Sequence, residues 1–357
     1  MLYIVLMYRP TLPPELIREI VQHTKTPHEL VGLVSLSETW RREVERVLYR
    51  SLTLTKRNLK YQALTAAHLV TLIPRVGNII TSLDAGPIQK KCKNLKKILS
   101  SVPNLRALRI DFVYYHLGLP FAPYLPAEPP FSLRCFRSNN DGDKYLSSFL
   151  KTQKDLEELD IHAYRVKTNN FVAPEDLPRL RIFRSSHITF AAQMLRGHAL
   201  THLSFLGDES YSFATELNGE RFPTVTSLAL KSWGRAPAFA LAFPNVRYLA
   251  IYIVSMHGLF ILSHVLTSFQ TRFSICVPDT DPFTKLHQIL FIRPLVLPFG
   301  DEREPSSQDV ATQYFSTNGN LGTILIMREQ SDQYTKHHRN GMMVLLEIKD
   351  TSWKWVY

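Results

Sequence analysis

The chain has 357 residues, 45% hydrophobic and 20% charged, a composition that excludes a disordered or collagen-like polypeptide. Its 42 Lys and Arg against 31 Asp and Glu give a formal charge of +11, dispersed along the chain except for the run KKCKNLKK at 90–97. Dispersed charge argues against a nucleic-acid surface, and no run of 18 apolar residues predicts a membrane span.

Cys92, Cys135 and Cys276 lack any C-x-x-C spacing. An odd count without that spacing fits reduced thiols in the cytoplasm or nucleus better than a disulfide framework. The first segment, MLYIVLMYRP, has neither a basic region before its apolar run nor a small-residue cleavage site after it. Residues 1–10 are therefore expected to be a poorly ordered start.

A helical pattern follows over residues 11–54. Thr11 suits the N-cap, Pro13 and Pro14 the first turn, and Glu15 the positive end of the helix dipole. Leu16, Ile17, Ile20 and Val21 share one face. Thr26-Pro27 starts a second helix with Glu29 in its first turn, and Leu30, Leu33, Val34 and Leu36 form an apolar cluster. A third helix carries Trp40, Val44, Val47 and Leu48 on one side and Arg41, Arg42, Glu45 and Arg46 on the other. So small a helical unit buries little surface and relies on a neighbour or partner.

The word order LPPELIREIVQH, then ELVGLVSLSETWRREVERVLYRSLTL, resembles the short F-box common in proteins of mushroom-forming fungi. The matching positions are Leu12, Pro13, Glu15, Leu16, Ile17, Ile20, Leu30, Leu33, Val34, Ser35, Trp40, Leu48 and Tyr49. Ser37-Glu38-Thr39 departs from the Cys-Lys or Ser-Lys pair that many F-boxes carry before the tryptophan. The resemblance implies docking onto the Skp adaptor of a cullin–RING ubiquitin ligase through Leu12, Pro13, Leu16, Ile17, Ile20, Leu36 and Trp40.

From residue 55 to about 260 the chain repeats. Apolar-x-x-apolar-x-apolar (or small) recurs from Ile80, Leu105, Leu133, Leu156, Leu180, Leu200, Val225 and Val246, at intervals of 20 to 28 residues. That period is the leucine-rich-repeat band. Pro103, Pro178, Pro223 and Pro244 each precede a pattern by two residues, ending one segment and leading into an extended one. Ile88, Cys92, Leu95 and Leu99 have helical spacing, with Lys90, Lys93, Lys96 and Lys97 on other sides.

The predicted fold is α/β: a three-helix module, then an irregular leucine-rich-repeat solenoid with parallel strands on a concave face and helices on a convex one. Residues 261–357 are read as degenerate repeats and a cap. Within them FSICVP, ILFIRPLVLPF, LGTILIMRE and MMVLLEI are strand-like, and 301–309 and 331–341 are polar interruptions.

Chemistry is sparse. His28-Glu29-Leu30-Val31-Gly32 has glycine where a zinc-binding second histidine must sit, and the adjacent His337 and His338 suit a solvated loop. No GxxxxGK[ST], GxGxxG or GxSxG occurs. No catalytic residue, cofactor or metal is assigned.

On the concave face, the fifth pattern positions read Asp84, Arg109, Arg137, Asp160, Arg184, Ser204, Ala229 and Ala250. They predict either an exposed cross-strand charge ladder or, with Tyr248 and Tyr252, a surface that binds a protein target. The expected function is a non-catalytic substrate receptor; the rival is a repeat scaffold without a ligase link.

Overall fold

The computed structural model describes residues 12–24, 26–54, 59–88, 94–112, 121–122, 124–140, 143–162, 172–205, 207, 210–230, 236–252, 288–293, 322–328, 333–338 and 343–347. The chain divides into two compact units, residues 1–114 with 119–136, and residues 115–118 with 137–357. Residues 1–10, Thr11, Cys92, Lys90, Lys93, Cys276 and FSICVP lie outside the described residues.

The first unit opens with α1 (Pro14–His23), α2 (Pro27–Leu33) and α3 (Glu38–Leu48). Pro13 occupies the cap position of α1 without a side-chain bond, and Pro14 sets the first turn. Thr26 accepts from the Glu29 N–H at 3.3 Å and Ser37 from the Trp40 N–H at 3.4 Å, so α2 and α3 start on capping hydroxyls. Ile17, Val21, Leu30 and Val44 form the small core, with Leu33, Val34, Trp40 and Leu48 packed against it.

Strand β1 (Ser51–Leu54) follows, then α4 (Leu59–Leu72), α5 (Pro74–Ile79), β2 (Ser82–Ile88), α6 (Asn94–Leu99) and β3 (Ala107–Phe112). The pairs β1–β2 and β2–β3 are parallel. Two sequence expectations change here. Residues 51–54, assigned to the helical module, are the first strand of the sheet. Ile88 ends β2 instead of joining a helix with Leu95 and Leu99, because the described helix is only Asn94–Leu99. Within it Leu95, Ile98 and Leu99 are buried while Lys96 and Lys97 are exposed.

The division between units falls inside β4 (Cys135–Ser138). The second unit continues with α7 (Lys144–Lys151), β5 (Glu158–Ile161), a 3-10 turn at Pro174–Asp176, β6 (Ile182–Ser185) and α8 (Ile188–Gly197). Then come β7 (His202–Phe205), α9 (Ser210–Glu216), β8 (Ser227–Leu230), α10 (Ala236–Ala242) and β9 (Tyr248–Tyr252). Strands β10 (Gln288–Arg293), β11 (Thr323–Arg328), β12 (Gln333–His338) and β13 (Met343–Glu347) complete it. Pairing is parallel from β5 through β11. It turns antiparallel at β11–β12 and β12–β13.

One backbone device sets the parallel register. The carbonyl just before a strand accepts two successive N–H groups from the next repeat. Arg50 O takes Thr81 and Ser82 at 2.9 and 3.1 Å; Thr81 O takes Arg106 and Ala107 at 2.8 and 3.0 Å. In the second unit Glu157, Arg181, Thr201 and Thr226 act the same way. Pattern positions therefore stack like on like: Leu159, Phe183, Leu203, Leu228 and Leu249 are partners in turn.

Each proline ahead of a pattern sits in a tight turn closed from the first pattern residue, as in Leu105 N–H to Val102 O at 3.2 Å and Leu180 N–H to Leu177 O at 3.1 Å. Proline's fixed φ suits the second position of such a turn. Asn104 and Asn245, which follow the proline, donate through Nδ2 to Asn78 O at 2.8 Å and Pro223 O at 2.7 Å, stapling a turn to the preceding repeat.

The first, fourth and sixth pattern positions are the core: Leu105, Leu108, Ile110, Leu156, Leu159 and Ile161 are essentially inaccessible. Aromatic rings join helices to it. Phe183 meets Phe190 edge-on at 5.1 Å, and Phe205 stacks on Phe213 at 4.4 Å, which meets Phe239 at 5.9 Å. Burying each such side chain stabilises by about 1.5–3 kcal/mol.

The polar stretch at 331–341 is not an interruption: Gln333–His338 is β12, and His337 and His338 pair with Ile324 and Thr323 across the antiparallel ladder. Antiparallel pairing against two apolar strands accommodates a polar strand that no apolar alternation announces.

Candidate docking face and charged row

Helix α1 carries two apolar stripes, set apart by the 100° step between consecutive residues. Ile17 and Val21 point into the small core; Leu16 and Ile20, one residue earlier in each turn, do not. Leu12, Leu16, Ile20 and Leu36 are 43 to 57% exposed, and Pro13 is exposed too. Ile17 is 2% exposed, and Trp40 is half-buried against the core. The assignment of Ile17 to a docking surface is corrected, because it is buried in the core that holds the three helices together; Trp40 packs against that core and keeps part of its side chain exposed. Val31, 61% exposed on α2, is an apolar outward position that the sequence reading omitted. Its place, one residue past buried Leu30, was the available signal.

A charge clamp fixes this geometry. Glu43 is buried and takes Arg18 Nε at 3.2 Å from α1 and Arg46 Nη1 at 2.7 Å from its own helix. Arg75 of α5 reaches Glu45 at 3.0 Å, anchoring α3 to the second helix after β1. Thus Glu45 belongs to a contact between elements, not to a freely solvated face.

The fifth-position row splits between the units. In the first, Arg109 donates to Asp111 at 2.7 Å and lies 3.5 Å from Asp84; Arg109 and Asp84 are partly exposed and Asp111 is buried. In the second, Asp160 lies 3.5 Å from Arg137 and 3.3 Å from Arg184, Arg184 lies 3.0 Å from Glu158, and His162 Nε2 lies 2.9 Å from Asp160. The alternating row expected from register is present.

Its environment is not the one expected. Asp160, Arg184, Ser204, Ala229 and Ala250 are buried, so they cannot be an exposed ladder or an open target-binding surface. The reason is architectural: parallel strands here are buried on both faces, as the patterns of β5 to β8 show. Small side chains at 204, 229 and 250 leave room for a close covering layer, and the charges survive burial by pairing.

Burial alone would raise the Asp160 carboxyl. The His162 hydrogen bond and charge, with Arg137 and Arg184, outweigh that and hold it below the usual carboxylate range. Burial, joined by the Arg184 charge, lowers His202, and burial lowers His198. Tyr248 is exposed on β9, three strands from β6, so the structure does not bring it to the ion-paired residues. Tyr252 ends β9, and the surroundings of its side chain lie outside what is described.

Among the described residues no helix is long and apolar enough to cross a membrane, and no three His, Cys, Asp or Glu side chains are placed to hold a metal. No protein-family model matches the chain, and no curated protein does.

Proposed function

We propose that the chain is the substrate receptor of a Skp–cullin–F-box ubiquitin ligase, docking through its N-terminal helices and holding a protein target on irregular leucine-rich repeats. The observation that carries this reading is the outward apolar stripe of α1. Leu16 and Ile20 are exposed although the helix has already filled its own core with Ile17 and Val21. Leu12 and Leu36 extend the exposed apolar set. Apolar residues in excess of what a module buries internally mark a surface for another protein. The resemblance of this segment to an F-box names the Skp adaptor as that protein.

The chain would contribute proximity, not a nucleophile: docking and target capture on one polypeptide raise the target's effective concentration at a partner's ubiquitin-carrying enzyme. Since Asp160 and Arg184 are buried, target capture is assigned to the repeats without them. Partly exposed Arg109, Arg137 and Tyr248 remain in the reading.

A second reading has its own observation. The Arg75–Glu45 ion pair ties α3 to the helices beyond β1, as a plain end cap of a repeat scaffold would be tied. Purified Skp adaptor separates the two. Capture by wild type, abolished in a folded Leu16→Asp/Ile20→Asp variant, supports the receptor; no capture by folded wild type leaves the scaffold.

A further inference from the structure

In the first unit, the end of α3, the starts of β1, β2 and β3 and the residues leading into β4 line an open groove of about 620 Å³, with Arg50, Ser51, Thr81, Ser82, Arg106 and Arg134 joined by the apolar Val47 and Ala107. Its construction follows from the shared-carbonyl device. Arg50, Thr81 and Arg106 hold the same position, one residue before successive strands, and each later N–H bonds to the earlier carbonyl. With strands about 4.8 Å apart, the Arg50 and Arg106 backbones stand about 10 Å apart on either side of Thr81.

The polar part of the groove offers donors, beside the apolar Val47 and Ala107. The carbonyls of Arg50, Thr81 and Arg106 each already accept two N–H groups, so the main-chain acceptors are occupied. No carboxylate lines it. Arg50 and Arg106 are exposed, and among the described residues neither makes an ion pair; Arg106 gives only Nη1 to Ser132 O, at 3.1 Å. Some exposed arginines elsewhere are matched to acids (Arg75 to Glu45, Arg179 to Asp155, Arg196 to Glu220), whereas Arg181, Arg221 and Arg247 are exposed without an ion pair among the described residues. What sets Arg50 and Arg106 apart is that they line one groove.

The geometry points to an oxyanion site that takes a phosphate group of at least two negative charges. Arg50, Arg106, Ser51 and Ser82 all line it, and Arg106 already gives one donor to Ser132 O. A guanidinium fork matches phosphate oxygens two at a time, which an ammonium cannot do. This inference does not depend on the ligase reading, because no residue of the docking face takes part.

The test is calorimetric titration of the full chain with pyrophosphate and, separately, with a phosphoserine peptide. Three proteins are compared at low salt: wild type, Arg50→Ala/Arg106→Ala, and Arg179→Ala. Saturable binding by wild type, weakened at least about tenfold in the double variant and unchanged in Arg179→Ala, supports the site. The tighter of the two ligands identifies whether a small diphosphate or a modified peptide supplies the group. Circular dichroism melting checks that the exposed replacements leave the fold intact. Absence of saturable binding, an unaffected double variant, or an equal loss in Arg179→Ala overturns it, the last by reducing the effect to dispersed charge.

Discussion

Asp160 shows how a residue that reads as surface becomes core. Replacing its carboxylate by a neutral amide leaves buried Arg184 with Glu158 alone and half-buried Arg137 without its anion, and breaking a buried pair from one side costs about 3–5 kcal/mol. Asp160→Asn should therefore lower the unfolding free energy by about 3 kcal/mol at neutral pH. The pH dependence follows from the lowered carboxyl. Its stabilisation is complete above the unfolded value near 3.8 and is lost as pH falls through the still lower folded value. Wild type should lose stability steeply below pH about 4, and Asp160→Asn should lose less over that range. His202 and His198, lowered from 6.5, give the same sign at higher pH: their share is present above 6.5 and declines on acidification. Urea unfolding at stepped pH measures all three.

The neighbours Ile17 and Leu16 make a second contrast at this scale. Ile17→Ala empties a core of few residues and should cost about 2–4 kcal/mol, whereas Leu16→Ala should cost less than about 1 kcal/mol. Equal costs would mean that the α1 stripe is covered within the chain.

At the scale of elements, glycines separate packing from propensity. A Cβ on Gly77 in α5 would collide with the Ser101 carbonyl oxygen, whereas one on Gly32 in α2 meets nothing within 4 Å. Alanine is the better helix former by up to about 1 kcal/mol, but forcing the backbone at residue 101 costs about 1–3 kcal/mol. Gly77→Ala should lower the denaturation midpoint and Gly32→Ala should raise it, with slopes unchanged.

The strands were the most legible elements. Leu156-x-x-Leu159-x-Ile161 and its counterparts put apolar side chains on one face at two-residue spacing after a turn, and those positions are core in the structure. Strand β12 was not legible, because Gln333, Thr335 and His337 alternate with Tyr334, Lys336 and His338 and neither set is aliphatic. The burial of Asp160 and Arg184 was hidden by their charge. The signal that was available lay sideways: Ser204, Ala229 and Ala250 continue the same row in small residues, as a covered sheet face requires. On α1, the sequence put Leu16, Ile17, Ile20 and Val21 on one face; only three-dimensional packing separates the pair that is filled from the pair that is not.

For the whole molecule, each unit is built on parallel β-strands with helices between them, and the N-terminal helices present apolar side chains that their own core does not use. On the proposed reading, those side chains seat the Skp adaptor. Amide hydrogen exchange of the full chain, with and without purified Skp adaptor, tests it most directly. Docking there slows exchange in residues 12–23 and 31–36 and leaves the repeats beyond residue 82 unchanged. Unaltered exchange across α1 under saturating adaptor, or protection confined to the repeats, would contradict it.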